Sequence, residues 1–141
     1  MSSKNKGTRY ERELMHMFYN SGFSVVRSAG SGSTPLPSPD IIVSNRKNIF
    51  AIECKALNST RKYFSQKEIS ELKDFSEKFG AIPFVAIRFD RIGWFFVHLE
   101  DMGFSRTNHF ISLELAKEKG IKFDQIIGKY SQGFLQNPAK I

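Results

Sequence analysis

The strongest constraint in this chain is a pair of apolar runs that meet across a short polar turn. Asp40-Ile41-Ile42-Val43 and Ile49-Phe50-Ala51-Ile52-Glu53-Cys54-Lys55 flank Asn45-Arg46-Lys47-Asn48. β-Branched and aromatic residues bounded by turn formers predict two strands joined as a hairpin. If the hairpin closes on residues 45–48, Ser44 pairs with Ile49 and Asp40 falls opposite Glu53. Directly opposed residues share a face, with Cβ atoms about 5 Å apart. Lys55 points to that face as well, whereas Cys54 turns the other way with Ile52 and Phe50. Two carboxylates and one ammonium are thus expected at one end of a hairpin.

Facing carboxylates repel, and left alone they destabilise a sheet. A divalent cation removes that penalty, and a hard, oxygen-rich site suits magnesium. Such an ion activates water and stabilises charge on a phosphate. A neighbouring lysine positions the water or neutralises the phosphorus centre. This chemistry needs no histidine or serine nucleophile, in keeping with His16, His98 and His109, none spaced like a metal pair. The competing reading is an ordinary surface ion pair of Lys55 with Glu53 or Asp40.

The rest of the chain predicts a single mixed α/β domain. Residues 1–8 read as a basic arm, 9–130 as the domain and 131–141 as a polar tail. Tyr10, Leu14, Met15, Met17 and Phe18 have helical spacing over 9–21, ended by Gly22. Residues 23–27 read as a strand, and the Gly/Pro/Ser-rich stretch 28–39 as a mobile loop. Ser65 and Glu68 form a capping box for a helix carrying Ile69, Leu72, Phe75 and Phe79 and stopping at Gly80. Strands are expected at 82–89 and 94–99, a shorter apolar run at 110–113 and a brief helix at 123–127.

The first helix offers a third acid. Glu11 falls roughly 60° from the centre of the apolar face and Glu13 roughly 100°. Glu11 therefore leans toward the core side, and Glu13 is expected in solvent.

A formal net charge of +7 favours a polyanionic partner. No apolar run approaches the ~20 residues that a membrane span requires, and the N-terminus lacks the apolar stretch of a signal peptide. The single Cys54 excludes an intrachain disulfide and a cysteine-rich zinc site. These features predict an intracellular, cytoplasmic protein.

Four segments together carry a family resemblance. Gly7-x-x-x-Glu11-Arg12-Glu13-Leu14, Gly22-Phe23-x-Val25-Val26-Arg27-Ser28-Ala29-Gly30-Ser31, Pro39-Asp40-Ile41-Ile42 and Ile52-Glu53-Cys54-Lys55 closely resemble the archaeal Holliday-junction resolvases of the Hjc and Hje type. These are nucleases of the PD-(D/E)xK superfamily. The likeness continues through Phe75-Ser76-x-x-Phe79-Gly80, Ile82-Pro83 and Gly93-Trp94, covering about residues 4 to 127. It implies a restriction-endonuclease-like mixed sheet flanked by helices, and a homodimer that makes paired nicks in a four-way junction using magnesium, with manganese able to substitute. By the same resemblance, Glu11, Asp40 and Glu53 hold the metal with the backbone carbonyl of Cys54. Lys55 completes the catalytic set, Ser31 sits beside the scissile strand, and Arg12 and Arg27 face the DNA.

Further phosphate-contacting candidates are Lys4, Lys6, Arg9, Ser33, Arg61 and Lys62. Two symmetric nicks require two active sites, hence a twofold dimer, for which Phe75 and Phe79 are the candidate surface. Gln132-Gly133-Phe134-Leu135 shares the opening of a sliding-clamp-binding peptide without its closing aromatic pair. Two rival readings remain at this point: a nuclease of the same superfamily acting on another DNA substrate, and a non-catalytic DNA-binding module.

Overall fold

In a computed structural model, residues 3–28 and 34–128 are described, with the side chains of residues 3–6 excepted. Helix α1 (Ser3–Asn20) leads into β1 (Ser24–Arg27), β2 (Ile41–Ser44), β3 (Ile49–Leu57) and β4 (Arg61–Phe64). Helix α2 (Gln66–Phe79), β5 (Ile82–Phe89) and β6 (Gly93–His98) follow, then β7 (Gly103–Ser105), β8 (Asn108–Ser112) and α3 (Leu113–Lys119). A five-stranded sheet runs β1-β2-β3-β5-β6, and a three-stranded sheet runs β4-β8-β7. In the larger sheet only β3 and β5 are parallel, because α2 carries the crossover between them.

The hairpin register matches the expected one: Ser44 pairs with Ile49 and Ile41 with Ile52. Asn45 builds the turn. Its Oδ1 accepts the backbone N–H of Asn48 at 2.8 Å and of Lys47 at 3.2 Å. The larger sheet divides the core into two clusters. On the α1 side, Leu14 and Phe18 meet Phe50, Ile52, Phe84 and Phe96. On the α2 side, Ile69 and Leu72 meet Ala51, Val85, Ile87 and Val97. Alternation along β3 therefore sends Glu53 and Lys55 to the α2 side and Cys54 to the α1 side.

Helix ends are built as their sequences demand. Phe23 N–H reaches back to Phe18 O at 3.1 Å and Gly22 N–H to Tyr19 O at 3.2 Å. Gly22 takes φ 92°, a left-handed conformation that closes α1 in a Schellman turn. The two phenylalanines seal this turn edge-to-face at 5.1 Å. At α2, Ser65 and Glu68 form the reciprocal capping box, and Gly80 ends the helix. Pro83 lies near the start of β5, where β6 does not yet pair, since the β5–β6 ladder begins at Phe84.

Four sequence-based expectations need correction. The basic arm does not extend to residue 8, because α1 already begins at Ser3. The added residues, Ser3 to Thr8, are polar and include Gly7, so they lack the apolar period by which a helix is recognised. Residues 61–64 form β4, which its own charged residues, Arg61 and Lys62, conceal. Residues 103–105 form β7, too short to show alternation. The apolar run near 110–113 ends as a strand at Ser112, which caps a third helix over Leu113–Lys119 by accepting the N–H of Leu115. Residues 123–128 are helical, and Ile126 is fully buried there. The proposed clamp-binding segment, Gln132–Leu135, lies outside the described residues.

Candidate active site

The ladder between β2 and β3 stops at Ile41 and Ile52, one residue short of the acid pair. Beyond it, the Asp40 side chain takes over from the backbone: its Oδ2 accepts the N–H of Cys54 at 2.8 Å. The main chain of Asp40 is held from the opposite side, where its carbonyl accepts Ser28 N–H at 2.9 Å. Asp40 is thus fixed between the end of β1 and the middle of β3.

Glu53 lies beside Asp40, and the two carboxyl groups are hydrogen-bonded. Pro37, Ser38 and Pro39 on one side and Glu68, Glu71 and Leu72 of α2 on the other enclose a cavity of about 70 Å³ against Glu53. Burial there pushes the Glu53 carboxyl from 4.5 up to about 8. The charge of Asp40 adds to the rise, Lys55 opposes it, and Glu68 contributes further. At neutral pH and without a cation, Glu53 therefore keeps its proton. Cys54 is partly buried; desolvation first, then the charges of Asp40, Glu11 and Glu53, hold its thiol well above the usual value, so it stays protonated.

Glu11 reaches the same region from the α1 side of the sheet, close enough for its charge to act on Cys54. Its Oε1 is held by Arg27 Nε at 3.1 Å. Among the described residues no three acids, histidines or cysteines converge as a ready metal cluster. The structure thus brings Asp40, Glu53 and Lys55 together, with Glu11 nearby but tied to arginine.

Glu13 is exposed, as expected, but is held by two partners. Its Oε1 accepts the Trp94 indole N–H at 2.9 Å and lies 3.5 Å from Arg88 Nε. Glu68 and Glu71 were not anticipated beside Glu53. The signal was present in their helical spacing on the flank of α2 that also carries Phe75. A larger groove of about 770 Å³, lined by Ser70, Lys73, Glu77, His98 and His109 among others, runs along another flank of α2. It includes none of Asp40, Glu53 and Lys55.

The basic candidates are scattered. Arg9 and Arg12 are exposed on α1, with Arg9 over the Tyr10 ring at 5.5 Å. Arg61 is exposed on β4, whereas Lys62 is half-buried on the packed side of that strand. Ser31 and Ser33, and the side chains of Lys4 and Lys6, lie outside the described residues. Phe75 packs against the α2-side core, and Phe79 stacks on it at 5.2 Å while remaining 49% exposed.

Fold and site together define an α/β domain whose mixed sheet presents a carboxyl pair and a lysine at the end of a hairpin. This architecture matches the 1.6 Å structure of Archaeoglobus fulgidus Hjc, a Holliday junction resolvase from an archaeal hyperthermophile. The TM-score is 0.81 at 31% identity, over 86% of this chain and 99% of that one. The sequence model for archaeal Holliday junction resolvase (Hjc) matches residues 2–133, and the chain belongs to that family. It is 35% identical to the crossover junction endodeoxyribonuclease Hjc of A. fulgidus, over 92% of this chain and 94% of that protein. It is 33% identical to the Methanocaldococcus jannaschii Hjc over 90% of each chain. It is also 30% identical to the Saccharolobus islandicus Hje, over 64% of this chain and 68% of that protein.

Proposed function

We propose that this protein is a crossover junction endodeoxyribonuclease that cuts four-way DNA junctions as a metal-dependent homodimer. The observation that carries the reading is the pair of Asp40 and Glu53 beside Lys55, placed where the hairpin ladder ends, with Asp40 fixed by the N–H of Cys54. A hard divalent cation, magnesium by its preference for oxygen, would favour the ionised form of Glu53 at this site. Asp40, Glu53 and the backbone carbonyl of Cys54 are the donors that would hold it. In a strand, N–H and C=O of one residue face the same edge, so the Cys54 carbonyl faces Asp40 as its N–H does. When bound, the cation supplies Lewis-acid charge for water activation and for the phosphodiester oxygens.

The remaining roles belong to the chain itself. Asp40, locked by Cys54 N–H, keeps one carboxylate oxygen aimed into the site. Lys55 places its ammonium on the same face as Glu53, where it orients the attacking water and offsets charge growing on the phosphate. Arg27 holds Glu11 in the absence of DNA. A phosphate binding to Arg27 would free the Glu11 carboxylate to complete the donor set. Arg9, Arg12, Arg61 and the basic residues near the N-terminus supply phosphate contacts that are blind to sequence. Paired nicks need two sites, and Phe79 on Phe75 is the exposed aromatic surface through which two copies would meet. The DNA substrate implies an intracellular setting. None of the helices among the described residues is long and apolar enough to cross a membrane.

The test is cleavage of a labelled four-way junction in magnesium, beside linear duplex and the Asp40→Asn variant. Symmetric paired nicks confined to the junction and lost in the variant are expected, with rate reduced at least about 100-fold. Equal cutting of duplex would assign another DNA substrate, and binding without cutting would make the protein a DNA-binding module.

A further inference from the structure

The three-stranded sheet packs one face onto the core through Phe64 and Ile111, both buried. By strand alternation its other face carries Arg61, Tyr63, Phe110 and Asn108. Tyr63 and Phe110 are directly opposed, with ring centroids 6.1 Å apart, and Tyr63 is 49% exposed. The Arg61 guanidinium lies 4.5 Å from the Phe110 centroid and 5.9 Å from that of Tyr63. Gly103 pairs with Phe110, and a Cβ at Gly103 would overlap the Phe110 ring. Glycine thus lets that ring lie across β7. None of the outward-facing residues of the three strands is acidic, and the β7–β8 turn adds exposed Arg106.

This face combines aromatic rings with arginine and has no aliphatic side chain. Aromatic rings with arginine also suit a protein interface, so the occupant is decided by charge rather than by apolarity. Stacking on a nucleobase needs only a ring face and a neighbouring cation, and a net charge of +7 favours the polyanion. We propose that Arg61, Tyr63 and Phe110 form a stacking platform for an unpaired or unstacked nucleobase of DNA, with Arg61 meeting the adjacent phosphate. The platform rests on the reading of the chain as a DNA-junction enzyme, because base stacking is interrupted at a crossover. It would hold the junction open rather than take part in cutting.

The experiment measures metal-free binding of a four-way junction carrying 2-aminopurine at the crossover, and of an oligothymidine strand. Wild type, Tyr63→Ala and Tyr63→Phe are compared, each checked for native circular dichroism. Tyr63→Ala is expected to weaken both ligands about tenfold. It should also abolish the 2-aminopurine emission change, while Tyr63→Phe keeps both. Wild-type affinity and emission in Tyr63→Ala would overturn the platform, as would a shift of that variant from dimer to monomer. If instead wild type binds the junction no better than duplex, the junction reading fails. The oligothymidine result then still decides for or against the platform.

Discussion

Glu53 is the residue at which burial and charge conflict most sharply. Its carboxyl titrates near 8 in the folded protein against 4.5 ordinarily, so folding binds a proton that the unfolded chain gives up. A raised folded pKa contributes stability that is complete below 4.5 and is lost as the pH climbs through about 8. Urea midpoints of the metal-free protein should therefore fall over that window relative to Glu53→Gln, which has no carboxyl to ionise. Excess magnesium should shrink the fall, because the cation favours the carboxylate. Parallel curves for the two proteins would mean that Glu53 is neither buried nor paired as described. The placement of Asp40 beside Glu53 was readable from the hairpin register alone, since a fixed turn dictates which residues face each other. The high pKa of Glu53 was not readable, because its cause lies in Pro37–Pro39 and Glu68, brought in from other elements.

At the scale of elements, the ends were more legible than the interiors. Ser65 with Glu68, and Gly22 before Phe23, are local chemistry and are found as expected. Ser65→Ala should destabilise the protein by about 1 kcal/mol through loss of the cap. Gly22→Ala should cost about 1 kcal/mol or more, because an L side chain is strained at positive φ even in open space. Both are read from urea unfolding with an unchanged slope. Neither substitution touches the acid pair, so cleavage measured well below the melting temperature should stay near wild type. The second sheet was missed for a physical reason. β4, β7 and β8 are short and carry charged residues and glycine. They are strands because they pair with one another over Phe64 and Ile111, not because of their own propensity.

For the whole molecule, the proposed homodimer has to bring two active sites onto one junction. Phe79 is half exposed and stacked on Phe75, so removing it should cost the monomer little while removing apolar area from the proposed subunit contact. Phe79→Ala is expected to keep wild-type unfolding within about 0.5 kcal/mol in dilute solution. Sedimentation should show it shifting from dimer toward monomer, and junction cutting should pass from paired to single nicks. A variant that remains dimeric and cuts in pairs would place the twofold contact elsewhere on the surface.

The sequence by itself determined the hairpin register, the helix caps, the split of β3 into an acid-and-lysine face and an apolar face, and the basic balance that favours DNA. Each follows from side-chain periodicity, turn chemistry or composition, which act over a few residues or over the whole chain at once. Only the tertiary structure decided how α1 meets the sheet, with Arg27 on Glu11 and Trp94 on Glu13. It alone decided that α2 and the proline loop close over Glu53, and that a second sheet leaves Arg61 and Tyr63 on an open face. These contacts join residues far apart in the chain. Their geometry is set by how helices and strands pack, and no local pattern encodes that.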